Sequence, residues 1–168
     1  MEQLTVNYDV YEDGTRYDGT ASVTLPDLSF IVQSMAGAGV GGNIEAVTPH
    51  LDAMTCTINF REMTDEAYSL ATPERHHLDL RGARQDEDCV NNVIKHTPIK
   101  HVMVVIPKQL TGGTLAPHSA SNPSGQYAVR YFATYIDGKK ETEIDPMNYI
   151  CIIKGKDYLQ SVRKALGR

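Results

Sequence analysis

Residues 35–43 read MAGAGVGGN, and Gly37, Gly39 and Gly42 within them spell G-x-G-x-x-G. Between a strand and a helix, that spacing cradles the pyrophosphate of a dinucleotide. LSFIVQS (28–34) passes for the strand, and Glu62 stands about twenty residues on, where a ribose-binding acid belongs. The helix that should follow is NIEAVTPHLDAM (43–54), with Pro49 in its middle. An interior proline costs about 3 kcal/mol and one backbone hydrogen bond. A dinucleotide fold also alternates strands with helices around a parallel sheet. This chain offers about eight strand signals and two helical ones. The glycines therefore read as a mobile loop joining two β segments, able to approach another backbone closely.

Working outward, alternation dominates. LTVNYDVYEDGTRY reads as two strands around Asp13-Gly14, and TASVTLPDL as a strand with Val23 and Leu25 on one face, ended by Pro26. GNIEAV is a strand, and AMTCTINFRE sets Met54, Cys56, Ile58 and Phe60 on one buried face. MTDEAYSLATPE is a helix with Thr64 as N-cap, acids in its first turn and Pro73 as terminator. HHLDLRGARQDED reads as a long exposed strand, and TPIKHVMVVIPK as a more buried one with Val102, Val104 and Ile106 in alternation. LTGGTLAPHSASNPSG is an uncharged exposed loop. YAVRYFATYIDGKKETEID is a hairpin about Asp137-Gly138, the dipeptide a type I′ turn favours. NYICIIKG is a further strand. The closing GKDYLQSVRKALG is a helix with Tyr158, Leu159, Val162 and Leu166 on one face and Gly167 as its stop.

Composition narrows the function. At 168 residues with 41% hydrophobic and 22% charged residues, the chain reads as one globular domain spanning 1–168. Its longest apolar run, VMVVI (102–106), is far too short to span a bilayer. MEQLTVNYDV has no signal-like character, so synthesis in the cytoplasm is expected. Cys56, Cys89 and Cys151 form no metal framework and read as reduced thiols packed in strands. His76 and His77 point to opposite faces of a strand, and the other histidines lack ligand spacing, so surface or interface positions are expected. QDEDC (85–89) lacks the calcium-loop pattern. No nucleophile elbow is present. No metal, cofactor or catalytic residue is expected. The formal charge of −5 divides unevenly: residues 1–90 hold 16 acids and 5 bases, residues 91–168 hold 5 acids and 11 bases. Opposed charge surfaces suit head-to-tail self-association. An acidic protein is a poor gripper of phosphate backbones, so sequence-specific nucleic-acid binding is not expected.

The C-terminal third carries a more specific pattern: Asp137-Gly138, Glu143-Ile144-Asp145, Asn148, Gly155, Asp157, Leu159, Arg163 and Leu166-Gly167. Upstream, Ser22–Leu28 reads SVTLPDL and is followed by AGAGVGG. In this order, these motifs resemble the major tail tube proteins of contractile-tailed bacteriophages, a family that includes the inner tubes of R-type bacteriocins. The 109–126 loop departs from that pattern in being uncharged. The resemblance implies a mainly β fold, a β-barrel-like sandwich of antiparallel strands with a flanking short helix and a C-terminal helix. It implies hexameric rings stacked into a hollow tube inside a sheath, in a virion tail or bacteriocin particle. It also implies baseplate and tail terminator partners, and passage of genomic DNA or ions through the bore. An acidic bore is expected, with 75–88, 99–110 and 127–136 as its wall. Met35, Gly37, Gly39, Gly41, Gly42 and Asn43, with Asp137 and Gly138, are the expected inter-subunit residues. The tube of a type VI secretion-like system is an alternative, and a small β-barrel ligand-binding module is one of a different class.

Overall fold

The computed structural model describes residues 2–168. Its strands are β1 (Glu2–Glu12), β2 (Thr15–Tyr17), β3 (Thr20–Thr24), β4 (Phe30–Met35), β5 (Ile44–Leu51) and β6 (Met54–Phe60), then β7 (His76–Asp88), β8 (Val93–Thr111), β9 (Ser124–Ile136), β10 (Lys139–Asp145), β11 (Ile150–Ile153) and β12 (Lys156–Asp157). Two short helices, α1 (Asp65–Leu70) and α2 (Gln160–Ala165), complete the fold. All the pairings are antiparallel, and the expected mainly β fold with two helices is what forms.

Strand β9 organises the main sheet. One edge of β9 pairs with β8 along almost its whole length. The other edge is divided: Ser124–Val129 pair with β6, and Phe132–Ile136 pair with β10. The sheet forks there. One limb runs β6–β3, the other β10–β11–β12, and the stem runs β8–β7–β1–β2. Both limbs and the stem turn the same face toward one core, so the sheet wraps it without closing a barrel.

Period-two alternation fills that core. Met54, Cys56, Ile58 and Phe60 are buried as expected, against Val10, Leu78, Leu80, Met103, Val105, Tyr127 and Phe132. Burial pushes the Cys56 thiol up to about 12, so it behaves as a small apolar side chain. Ala67 and Leu70 close one end from α1, where the Thr64 hydroxyl accepts from the Ala67 N–H at 3.4 Å.

Several expectations are corrected. On β8 the buried face is Thr97, Met103 and Val105; Val102, Val104 and Ile106 are only half-buried on the opposite face. VMVVI is apolar on both faces, so alternation could not choose between them. β7 is a long strand but not an exposed one: His76, Leu78 and Leu80 are buried. The C-terminal helix is only six residues long, with Leu159 buried ahead of it and Tyr158 and Leu166 exposed. Cys89 is exposed at the β7–β8 turn rather than packed in a strand. The 112–123 loop is exposed at Leu115 but tied down at its base, where Ser121 and Pro123 are buried.

His76 is not a surface histidine. Its Nδ1 lies 2.5 Å from a Glu12 carboxylate oxygen and its Nε2 lies 3.0 Å from the Thr72 carbonyl. The Tyr17 hydroxyl donates to the other Glu12 oxygen. The protonated ring can donate from both nitrogens, to Glu12 and to the Thr72 carbonyl, with the Thr72 hydroxyl also 3.2 Å from Nε2. Burial alone would depress the imidazole pKa, but the Thr72 carbonyl and Glu12 outweigh it and hold the value above 6.5. A histidine raised in the fold contributes stability that is complete below its unfolded value and fades as pH rises through its folded one. Melting temperature should therefore fall as pH rises above 6.5, and this fall should be absent in His76→Asn. An equal alkaline slope in both proteins would remove the cluster from the account.

Candidate functional site

Among the described residues, no group of three or more His, Cys, Asp or Glu side chains is placed to hold a metal ion. Glu62, the would-be ribose acid, instead accepts from the Ser121 amide at 2.9 Å and its hydroxyl at 2.6 Å. It pins the base of the 112–123 loop, and the Ser121 hydrogen bonds hold its carboxyl below the usual range. Two of the three acids after Gln85 are similarly occupied. Asp86 accepts from Arg84 and Thr97, and Asp88 from the Val90 amide and Asn91. What remains is a set of surfaces suited to contact with protein.

The first is an arm. β4 and β5 form a two-stranded sheet of their own, with MAGAGVGGN as its far loop and Val40 N–H bonded to the Gly37 carbonyl at 3.2 Å. The loop joins two strands, as the proline argument required. Pro49 sits within β5, which no third strand flanks, so its missing N–H costs nothing there. Phe30, Ile31, Val32, Met35, Ile44 and Val47 are all more than a third exposed. A two-stranded hairpin is marginal by itself in water. A contiguous exposed apolar patch marks a contact surface.

The second is the pair of free edges on the stem. β2 covers β1 only from Val10 to Glu12. Among the described residues, no strand flanks the outer edge of 4–9 or that of 93–97 in β8, where pairing with β9 begins at Ile99. The β1 edge is blunted: a bulge falls between Thr5 and Asn7, and the Asn7 side chain accepts from the Tyr8 N–H at 2.9 Å.

The third is the outer face of the stem. Asp79, Val102, Ala133 and Glu143 form one cross-strand row, and Arg81, Lys100, Tyr135 and Lys140 the next. Asp79 pairs with Arg81 at 3.0 Å and Lys100 at 3.6 Å, and Lys140 with Glu143 at 2.9 Å. Arg81 stacks on Tyr11. The ions of these two rows are paired with one another, three bases against two acids.

The residues of the C-terminal motif converge on a clasp. Asn148 donates to Asp145 at 2.6 Å. Asp157 accepts from the Leu159 amide at 3.0 Å and from Arg163 at 2.5 Å, while Arg163 also donates to the Tyr149 carbonyl at 2.5 Å. Gly155 and Gly167 hold φ of +77° and +73°, conformations that favour glycine. Ile144 and Leu159 are the buried anchors. Asp157, inside the span GKDYLQSVRKALG expected to be helical, belongs instead to β12 and ties the helix back to the sheet.

The motif is thus a built structural unit, and the sequence matches the phage tail tube protein FII family over residues 3–167. The chain belongs to that family. As a tail tube subunit it is similar to the tail tube protein of Escherichia phage P2, 26% identical over 164 residues that cover 94% of this chain and 93% of the relative. Its fold resembles two components of PVC, an extracellular contractile injection system, in the extended state. The sheath/tube terminator matches at TM-score 0.55 and 10% identity, covering 77% of this chain and 94% of that one. The sheath-tube complex matches at TM-score 0.53 and 11% identity, covering 76% and 87%.

The tail tube subunit carries its expected contact residues on two separate turns. Met35 to Asn43 sit at the far end of the arm. Asp137 and Gly138 form the β9–β10 turn, with φ of +52° and +77°, bonded to the Pro98 carbonyl through the Asp137 N–H. Sequence reasoning missed the free edges, because the chain pattern does not say which strand lies outermost. Asp157→Ala should break the clasp and leave Arg163 with only the Tyr149 carbonyl. A loss of about 1–3 kcal/mol in denaturant unfolding is expected, with Asp157→Asn losing less. Equal stability of Asp157→Ala and the parent would show the clasp to be incidental.

Proposed function

We propose that this tail tube subunit assembles into hexameric rings that stack into a hollow tube within a contractile sheath. Baseplate and terminator proteins cap the two ends. The tube conducts DNA or ions and penetrates the target envelope. The subunit acts as structure and not as an enzyme, and is made in the cytoplasm of a bacterial host before incorporation into a virion tail or bacteriocin particle. The observation that carries this reading is the arm. An apolar hairpin with no layer over it, on a subunit that also presents two unflanked strand edges, is a surface that association would cover.

Each part has a role in that assembly. The stem edges at 4–9 and 93–97 allow neighbouring sheets to join laterally around a ring. The arm, with Met35 to Asn43 at its end, docks between subunits, and the Asp137–Gly138 turn lies beside the lateral edge of β8. If the outer faces of β7, β8 and β9 line the bore, the bore is charge-paired and not acidic as composition suggested, since Asp79 and Glu143 are held by Arg81, Lys100 and Lys140. A wall whose cations are already engaged offers phosphates few partners.

Purified protein examined by negative-stain electron microscopy should show hollow rods or rings of uniform width. Val32→Asp and Val47→Asp, both on the exposed arm, should abolish rods while moving the subunit's melting temperature little, because surface substitutions away from the core stay within about 0.5 kcal/mol. Rods of normal length from both variants would exclude the arm from assembly.

A further inference from the structure

The β8–β9 ladder slips twice, and each slip inserts a cation. Val104 and Val105 pair with Tyr131 and Val129, which leaves Arg130 as an extra residue of β9. Pro107 and Gln109 pair with Tyr127 and Gln126, which leaves Lys108 as an extra residue of β8. Bulges of this kind re-aim side chains. Tyr127 and Val129 are buried in the core, so Ala128 and Arg130 point outward. Lys108 donates across the same outer face to the Thr55 hydroxyl at 3.3 Å, and Thr55 is the register partner of Ala128. Both cations are exposed, and neither meets an acid among the described residues. Arg130 also sits in the fork of the sheet, between the stretch of β9 paired to β6 and the stretch paired to β10.

The far end of the same face carries the reverse charge. Glu2 and Glu87 are register partners on β1 and β7, on the face of Asp79 and Arg81 and away from the buried Leu78 and Leu80. Like charges directly opposite in a sheet are destabilising. Neither carboxylate has a cation beside it among the described residues. The exposed side chains of Leu4 and Ile94 stand next to them. The outer face thus holds two unmatched acids at one end and two unmatched bases toward the other, with the paired rows of Asp79, Arg81, Lys100 and Lys140 between. The subunit's own fold requires neither unmatched pair.

These charges cannot meet within one chain. Ile94, beside Glu87, stands roughly 45 Å from Lys108 along β8. A second copy shifted along the strands presents the missing charges, two against two. Such a contact joins unlike patches, so it repeats from copy to copy. Joining of the stem edges runs across the strands, whereas this contact runs along them and adds a further ring. It also gives a use to the uneven division of charge, because residues 1–90 supply its acids and residues 91–168 its bases. We propose that Glu2 and Glu87 of one copy pair with Lys108 and Arg130 of a second copy in the adjoining ring. The proposal rests on the tube reading and names the charges that stack its rings.

The test treats a mixture of isotope-labelled and unlabelled parent with a zero-length carbodiimide, which joins a carboxylate to an amine it touches, after electron microscopy has scored assembly. Mixed-isotope adducts of Lys108 with Glu2 or Glu87 are expected. Rods without such adducts would overturn the proposal alone. Neither rods nor adducts would overturn it together with the tube reading, and adducts without rods would count against the tube reading only. Independently, Glu2→Lys/Glu87→Lys and Lys108→Glu/Arg130→Glu should each raise the protein concentration needed for rods several-fold, while each subunit melts close to the parent. Mixing the two in equal amounts should restore the parent threshold, because one variant is basic at both sites and the other acidic at both. Unchanged thresholds, or no rescue on mixing, would overturn the pairing. So would normal rods from Lys108→Glu/Arg130→Glu that lose only the retention of duplex DNA, since the cations would then serve phosphates.

Discussion

The division of one edge of β9 between two partners governs the rest of this structure. A strand can hydrogen-bond on two sides only, and β9 gives the whole of one side to β8. The remaining side is shared by β6 and β10, which run in the same direction along successive stretches of it and diverge into separate limbs. That divergence bends both limbs around the core and leaves the stem as an extended ladder with open margins. Burial on one face and openness at the edges are thus two results of the same pairing. A closed barrel would have given a self-sufficient monomer. The fork gives a subunit whose sheet is still available for joining.

Much of this was legible in the sequence. Asp13-Gly14 and Asp137-Gly138 announced their hairpins because both residues of such a turn need positive φ, and they have it. The run from Met54 to Phe60 was legible because polar residues alternate with apolar ones and one face only can be buried. Where that contrast fails, so does the reading. VMVVI is apolar on both faces, and only the neighbours in the sheet decide which is covered. Lys154-Gly155 makes the same kind of turn as the Asp-Gly pairs, with φ of +55° and +77°, but lysine gives no such signal and the short β12 was missed. His76 looked like a surface residue because nothing local reveals that Glu12, 64 positions away, waits beside it.

The proposed contact surfaces divide along the same line. The arm's loop was readable, since glycines without a following helix exclude the nucleotide fold and leave a backbone able to make close contacts. The motif ending in Gly167 was readable as a family resemblance, and the structure gives its chemistry: an aspartate, an arginine and two left-handed glycines fasten a short helix to the last strands. The two bulge cations were not readable as a pair, because Lys108 and Arg130 belong to different strands and only the register of the β8–β9 ladder brings them to one face.

The bulge in β1 has a consequence for timing. An unguarded strand edge recruits any extended chain that collides with it. Here the Asn7 side chain already occupies the Tyr8 N–H, and the offset between Thr5 and Asn7 breaks the even spacing that a casual partner would match. An incoming strand gains a bond only by displacing one, so brief encounters yield little. A partner held in alignment by a growing end can complete the exchange along the whole edge. Casual pairing is thereby disfavoured at this edge while a partner that matches the bulge can still join it, a lock whose key is geometry and not a chemical signal.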